Sequence, residues 1–219
     1  MKQLALIVLL IFFSLNGFGQ DEVQRGTSVW FLQLAIDQMS QLKSGALLVR
    51  LPENEIAIKV ALEREMPQRA EAIQEELDLK NYEVVKAFQH NYNFSEVYFF
   101  KASDTQFVLN QQWDSITYYN FDLEPTPVMA FRGSKPYLTA EMTSLRADTT
   151  FANEKGNGDD PMFEAMIIKS NEFVQLHKPF PFYVRTWGSL PFKRKTTRVV
   201  DMLNEDLWNY YNQFVPKKE

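Results

Sequence analysis

Residues 46–51 read Ala46-Leu47-Leu48-Val49-Arg50-Leu51, an apolar run of strand length bounded by Gly45 and Pro52. It lacks the polar alternation of a half-solvated strand, and near-continuous apolar strands belong to sheets covered on both faces, as parallel sheets are. Upstream, Thr27 or Ser28 caps a helix over 28–43 in which Phe31, Leu34, Ala35, Met39 and Leu42 recur at helical spacing. Downstream, 53–92 is helical in pattern, with Ile56, Val60, Ala70, Ile73 and Leu77 on one side and Glu55/Lys59 and Glu65/Arg69 spaced as i,i+4 ion pairs. Pro67 divides it, because proline fits the first turn of a helix and not the interior, so a break is expected at 66–67. Val97 to Lys101 is the next apolar run, and strand, helix, strand makes a crossover that sets the two strands parallel in one sheet.

Ser103-Asp104-Thr105 then caps a short helix through Phe107, Val108 and Leu109. Shorter strands are expected at 116–119, 128–131 and 138–143, the last two joined through Arg132-Gly133-Ser134-Lys135 as a hairpin. The stretch 148–161 reads as an exposed loop, 163–169 and 182–186 as strands. A last helix over 197–214 carries Val200, Leu203, Leu207, Tyr210 or Tyr211, and Phe214 on one face. With no repeat and no low-complexity linker, residues 20–219 form a single α/β domain, a layered fold with a mixed, partly parallel sheet flanked by helices.

Residues 1–19 set the expected compartment. A basic start at Lys2 precedes an uncharged apolar block over 4–15, and Gly17-Phe18-Gly19 presents small residues at the positions a signal peptidase reads. The block is shorter than the roughly 20 residues of a membrane span and runs straight into Asp21-Glu22, so cleavage and a periplasmic or secreted protein are expected rather than an integral membrane protein. The chain has no cysteine, which removes disulfides, thiolate metal sites and thiol catalysis. Its 18 Phe, 9 Tyr and 4 Trp supply a core in their place. A net charge of −5 argues against nucleic-acid binding, which calls for a basic face.

No catalytic signature stands out. The glycines form neither G-x-G-x-x-G nor G-x-x-x-x-G-K, so no cofactor loop is expected. Gly156-Asn157-Gly158-Asp159-Asp160 lacks the alternating ligands and distal glutamate of a calcium loop. Ser40-Gln41-Leu42-Lys43 matches S-x-x-K without its companion elements. His90 and His177 stand apart, with no second histidine at metal-ligand spacing, and no metal site is expected.

Two features remain as candidate ligand-binding residues. The carboxyl ends of the two parallel strands, where ligands gather in open α/β sheets, carry Arg50 and Asp104, a cation and a carboxylate that would serve a hydrolase or transferase if they met in one pocket. Between Glu172 and Asp201 there is no acid, while Lys178, Arg185, Lys193, Arg194, Lys195 and Arg198 lie among Phe180, Phe182, Tyr183, Trp187 and Phe192. Clustered cations attract phosphate or carboxylate and flat rings stack on sugars, so Arg185, Lys193 and Arg194 point to an anionic small molecule, a glycan or an envelope protein as partner.

The segments Ala46 to Leu51, Val97 to Phe100 and Pro179-Phe180-Pro181-Phe182-Tyr183-Val184-Arg185 resemble recurring segments of a family of exported bacterial proteins with no assigned activity. The resemblance spans most of the chain after residue 19 and implies export and a shared fold; it carries over no catalytic residue. The expectation is a non-enzymatic binding domain, with the Asp104 and Arg50 enzyme as the alternative.

Overall fold

The computed structural model describes residues 25–126, 131–146, 162–187 and 193–216. The expected signal segment, the loop at 148–161 and residues 128–130 of the expected strand lie outside them.

Helix α1 (Ser28–Ser44) starts at Thr27, whose side chain accepts the N–H of Trp30 at 3.2 Å. Thr27→Ala removes that cap and is expected to lower stability by about 1 kcal/mol, read from urea unfolding. Strand β1 (Ala46–Leu51) follows, then α2 (Glu55–Glu63) and α3 (Pro67–Asn91), with Pro67 at the first turn as its missing N–H requires. β2 (Glu96–Lys101) leads through a 3-10 turn at Ala102–Asp104 into α4 (Thr105–Leu109), and β3 (Tyr118–Tyr119) closes that edge. β4 (Tyr137–Arg146), β5 (Met162–Lys169), β6 (Tyr183–Arg185) and α5 (Thr196–Phe214) complete the described elements.

One six-stranded mixed sheet results, in the order β3-β2-β1-β4-β5-β6. β1 is central and parallel to both neighbours, pairing Leu48 with Tyr98 on one side and with Thr139 on the other. The outer pairs are antiparallel. The edge strands are only 2 and 3 residues long, which leaves little unpaired backbone to template aggregation.

Side-chain alternation along β1 divides the core. Leu47, Val49 and Leu51 join Met39 and Leu42 of α1, Val85 and Phe88 of α3, and Val200, Leu203 and Leu207 of α5. Ala46 and Leu48 join Phe100, Val108, Ile116, Tyr118 and Phe131 on the opposite face. The connection from β1 to β2 thus runs over the helical face in one direction, and that from β2 to β4 over the other face in the reverse direction. Two crossovers of the same hand require that arrangement. It creates a topological switch point between β1 and β4.

Several local expectations are corrected. Ile56 is 82% exposed and Val60 is exposed too, because α2 is short and buries only Ala61. Glu65 has a φ of 55°, outside the helix, and the ion pair of α2 joins Lys59 to Glu63 at 3.9 Å. The hairpin through 132–135 does not form, since β4 lies between β1 and β5 and Phe131 is not in a strand. Gly133 adopts a φ of 66°, and the Trp113 ring occupies the space a Cβ would take. Phe214 ends α5 exposed, stacked on Tyr210 at 4.7 Å.

Buried tyrosines set the alkaline limit of the fold. Burial, with the Glu96 carboxylate adding to it, pushes Tyr98 up from 10.0 to about 12, and burial likewise raises Tyr92, Tyr118, Tyr137 and Tyr210. These groups hold their protons in the folded chain after the unfolded chain has lost them. Their contribution is therefore complete below pH 10 and lost as pH rises towards 12. Unfolding curves across that window should show stability falling together with phenolate absorbance.

Candidate functional site

A cavity of about 410 Å³ opens on the helical face beyond the carboxyl end of β1. Pro52 and Asn54 form its floor, Met142 of β4 and Glu164 of β5 one side, Leu77, Lys80, Asn81, Glu83 and Val84 of α3 another. Thr186, Lys193, Arg194, Lys195 and Thr196 complete the lining. This is the crevice beside the switch point, where open α/β sheets hold ligands.

The wall carries four cations against two carboxylates in a chain of net charge −5. Lys193 pairs with Glu164 at 2.7 Å, and Lys80 with Glu76 at 2.6 Å. The Arg194 guanidinium donates to the carbonyls of Arg185 (2.9 Å) and Trp187 (3.0 Å), which pins the strand leaving β6 against the start of α5. Lys195 makes no ion pair among the described residues and occupies the cap position of α5 without a side-chain cap. Helix α5 has no acid of its own in its first turn, and the carboxylate at its start is Glu83 of α3, which lines the same cavity. The Thr196 hydroxyl donates to Glu83 at 3.3 Å and ties α5 to α3 at that edge.

A smaller cavity of about 170 Å³ shares Asn54, Leu77 and Asn81 with the first and is otherwise lined by Glu53, Glu55, Ile58, Gln74, Asp78 and Lys101. Asn81 stands at the junction. It is 5% exposed; its Nδ2 donates to the Pro52 carbonyl at 3.3 Å and its Oδ1 has no hydrogen-bond partner among the described residues. Flipping the amide would set oxygen against that carbonyl, so the assignment stands.

The candidate residues divide between two places. Lys193 and Arg194 line the large cavity. Arg185 does not: it pairs in register with Ala165 and lies over the Phe163 ring at 3.9 Å. Phe180 and Phe182 are core residues, each 1% exposed. Arg50 points to the opposite face, where its guanidinium bonds the Glu141 carboxylate, reaches the Thr105 hydroxyl at 3.4 Å and lies over Phe173 at 5.4 Å. Lys169 bonds the other oxygen of Glu141. The anion expected opposite Arg50 is thus a side chain of the chain itself. Asp104 occupies the cap position of α4 but makes no cap bond; its carboxylate accepts the N–H of Thr117 at 2.9 Å. No ion pair joins Asp104 to Arg50 among the described residues.

Sequence reasoning missed Glu141, Asn81, Lys80, Glu83 and Glu164. Glu141 and Glu164 left a trace, each as the sole acid inside an apolar strand run. The S-x-x-K pair is structural: Ser40 donates to the Ile36 carbonyl at 2.8 Å and Lys43 to the Phe94 carbonyl at 2.8 Å. Burial lowers the pKa of Lys43, which lies 4.0 Å over Trp208. Among the described residues no group of three or more His, Asp and Glu is placed to hold a metal, and no helix is long and apolar enough to cross a membrane.

The fold and site define a single mixed α/β domain with a basic crevice at its switch point. In comparison with known proteins, no family model, curated sequence or solved structure matches the chain.

Proposed function

We propose that this chain is an exported, non-enzymatic binding protein whose ligand is a small anion seated in the crevice between α3 and the start of α5. One observation carries the reading: Lys193, Arg194 and Lys195 line a cavity at an uncapped helix N-terminus that has no acid in its first turn. Backbone N–H groups at a helix start, with cations beside them, favour phosphate and carboxylate. Lys193 and Arg194 are held by the protein, and Lys195 is left to meet the ligand. The apolar wall of Leu77, Val84 and Met142 suits a ligand with an organic body. Export rests on the basic and apolar start of the chain, and N-terminal sequencing of protein from the cell envelope or medium should begin at Gln20.

Calorimetric titration of the purified protein with inorganic phosphate tests the site. Saturable binding that weakens with added salt is expected, because the lining charges lie within reach of screening ions. Lys195→Ala should weaken it at least about tenfold, a loss of about 1.4 kcal/mol. Phosphate binding that Lys195→Ala leaves unchanged would place the anion elsewhere and end the proposal.

A further inference from the structure

We infer that the ligand is an organic carboxylate with an apolar body, gripped by the free edge of the Arg194 guanidinium. The inference rests on the anion site proposed above and names the chemistry of its ligand. Arg194 is half-buried and lines the large cavity. Its Nη1 donates to two main-chain carbonyls, those of Arg185 at 2.9 Å and Trp187 at 3.0 Å, which uses both N–H groups of that nitrogen. Neither of those residues lines the cavity. Nε and Nη2 have no hydrogen-bond partner among the described residues, and the guanidinium makes no ion pair among them. The Nε and Nη2 edge is a flat fork of parallel N–H groups that matches the two oxygens of a carboxylate. Because Nη1 is already fixed, the fork loses little further freedom when an anion binds it.

A guanidinium edge accepts carboxylate and phosphate alike, and charge balance separates them. Of the four cations in the lining, Lys193 is matched by Glu164 at 2.7 Å and Lys80 by Glu76 at 2.6 Å. Arg194 and Lys195 remain, against the one carboxylate of Glu83, which accepts the Thr196 hydroxyl at 3.3 Å and makes no ion pair among the described residues. The surplus is one positive charge. A carboxylate balances it, whereas a phosphate dianion brings a second negative charge into a cavity that already holds Glu83. Leu77, Val84 and Met142 add an apolar wall that a bare phosphate cannot use and a hydrocarbon chain can.

The test titrates hexanoate, hexanamide, acetate and inorganic phosphate into the purified protein at mildly alkaline pH, where phosphate is mainly the dianion. Hexanoate should bind most tightly, with hexanamide and acetate each weaker by at least about tenfold, since one lacks the charge and the other the apolar body. Arg194→Lys keeps the charge and loses the fork, and should lower the preference for hexanoate over phosphate several-fold. Glu83→Gln, an exposed substitution, raises the surplus to two charges and should shift the same preference several-fold towards phosphate, so it carries the test if Arg194→Lys fails to fold. Phosphate binding with hexanoate no tighter than hexanamide, or no tighter than phosphate, overturns the carboxylate and leaves the anion site standing. A preference that Arg194→Lys leaves unchanged overturns the grip of Arg194, and one that Glu83→Gln leaves unchanged overturns the charge balance. Binding of neither hexanoate nor phosphate overturns the anion site and the carboxylate together.

Discussion

Replacing Glu141 with alanine is expected to lower the free energy of unfolding by about 3–5 kcal/mol, the range measured when one partner of a buried ion pair is removed. The Glu141 side chain is 7% exposed and its two oxygens meet Arg50 and Lys169, whose side chains are 29% and 20% exposed. The register sets this up, since Arg50 stands opposite Glu141 across the parallel β1–β4 ladder and Lys169 lies on β5 across the other edge of β4. Taking the carboxylate away leaves two half-buried cations facing each other with no counter-charge, so the cost exceeds that of losing a surface pair. Arg50→Met is the informative companion: it leaves Glu141 paired with Lys169, and the loss should be smaller. Urea unfolding of both variants gives the comparison. A Glu141→Ala loss below about 1 kcal/mol would mean that the cluster is wet and behaves as a surface ion pair.

Gly45→Ala should cost roughly 3 kcal/mol, at the upper end of what overpacking produces. An added Cβ would lie 2.0 Å from the Pro136 carbonyl oxygen and 2.6 Å from that of Gln41, both backbone atoms that cannot swing aside. The Pro136 oxygen also accepts the N–H of Ala46 at 3.1 Å, a bond that sets the start of the β1–β4 ladder. Relieving the clash therefore means shifting the register contact of the central strand pair. For a chain of this size the melting temperature should drop by about 6–12 °C. An unchanged melting temperature would show that α1 and β1 can separate at this joint.

Much of the fold was legible in local patterns. The strand at 46–51, the break at Pro67 and the parallel setting of β1 and β2 follow from apolar runs, proline chemistry and the length of the crossover, all of which act within a few residues. Gly45 was readable as the end of α1, but its actual constraint, the approach of Pro136 from 91 positions away, was not. The hairpin expected at 128–143 failed because pairing is decided by which strand edges are free, and both edges of β4 were taken by β1 and β5. Ile56 and Val60 have the spacing of a buried face, yet nothing packs on them, because periodicity gives a direction and not a partner.

The site divides in the same way. Lys193, Arg194 and Lys195 were visible as cations in an acid-free segment, since local charge is a property of sequence alone. Whether they lined a crevice depended on α3 running beside the start of α5, and Arg185, in the same segment, ended on the opposite face because strand side chains alternate. By itself the sequence determined the α/β class, the central buried strand and the basic character of the segment before α5, through short-range periodicity and composition. The tertiary structure alone decided that Arg50 spends its charge on Glu141, that Asp104 holds Thr117, and that Asn81 is buried with its Nδ2 on the Pro52 carbonyl. Each of these is a contact between residues far apart in the chain, and such contacts depend on how layers pack and strands register.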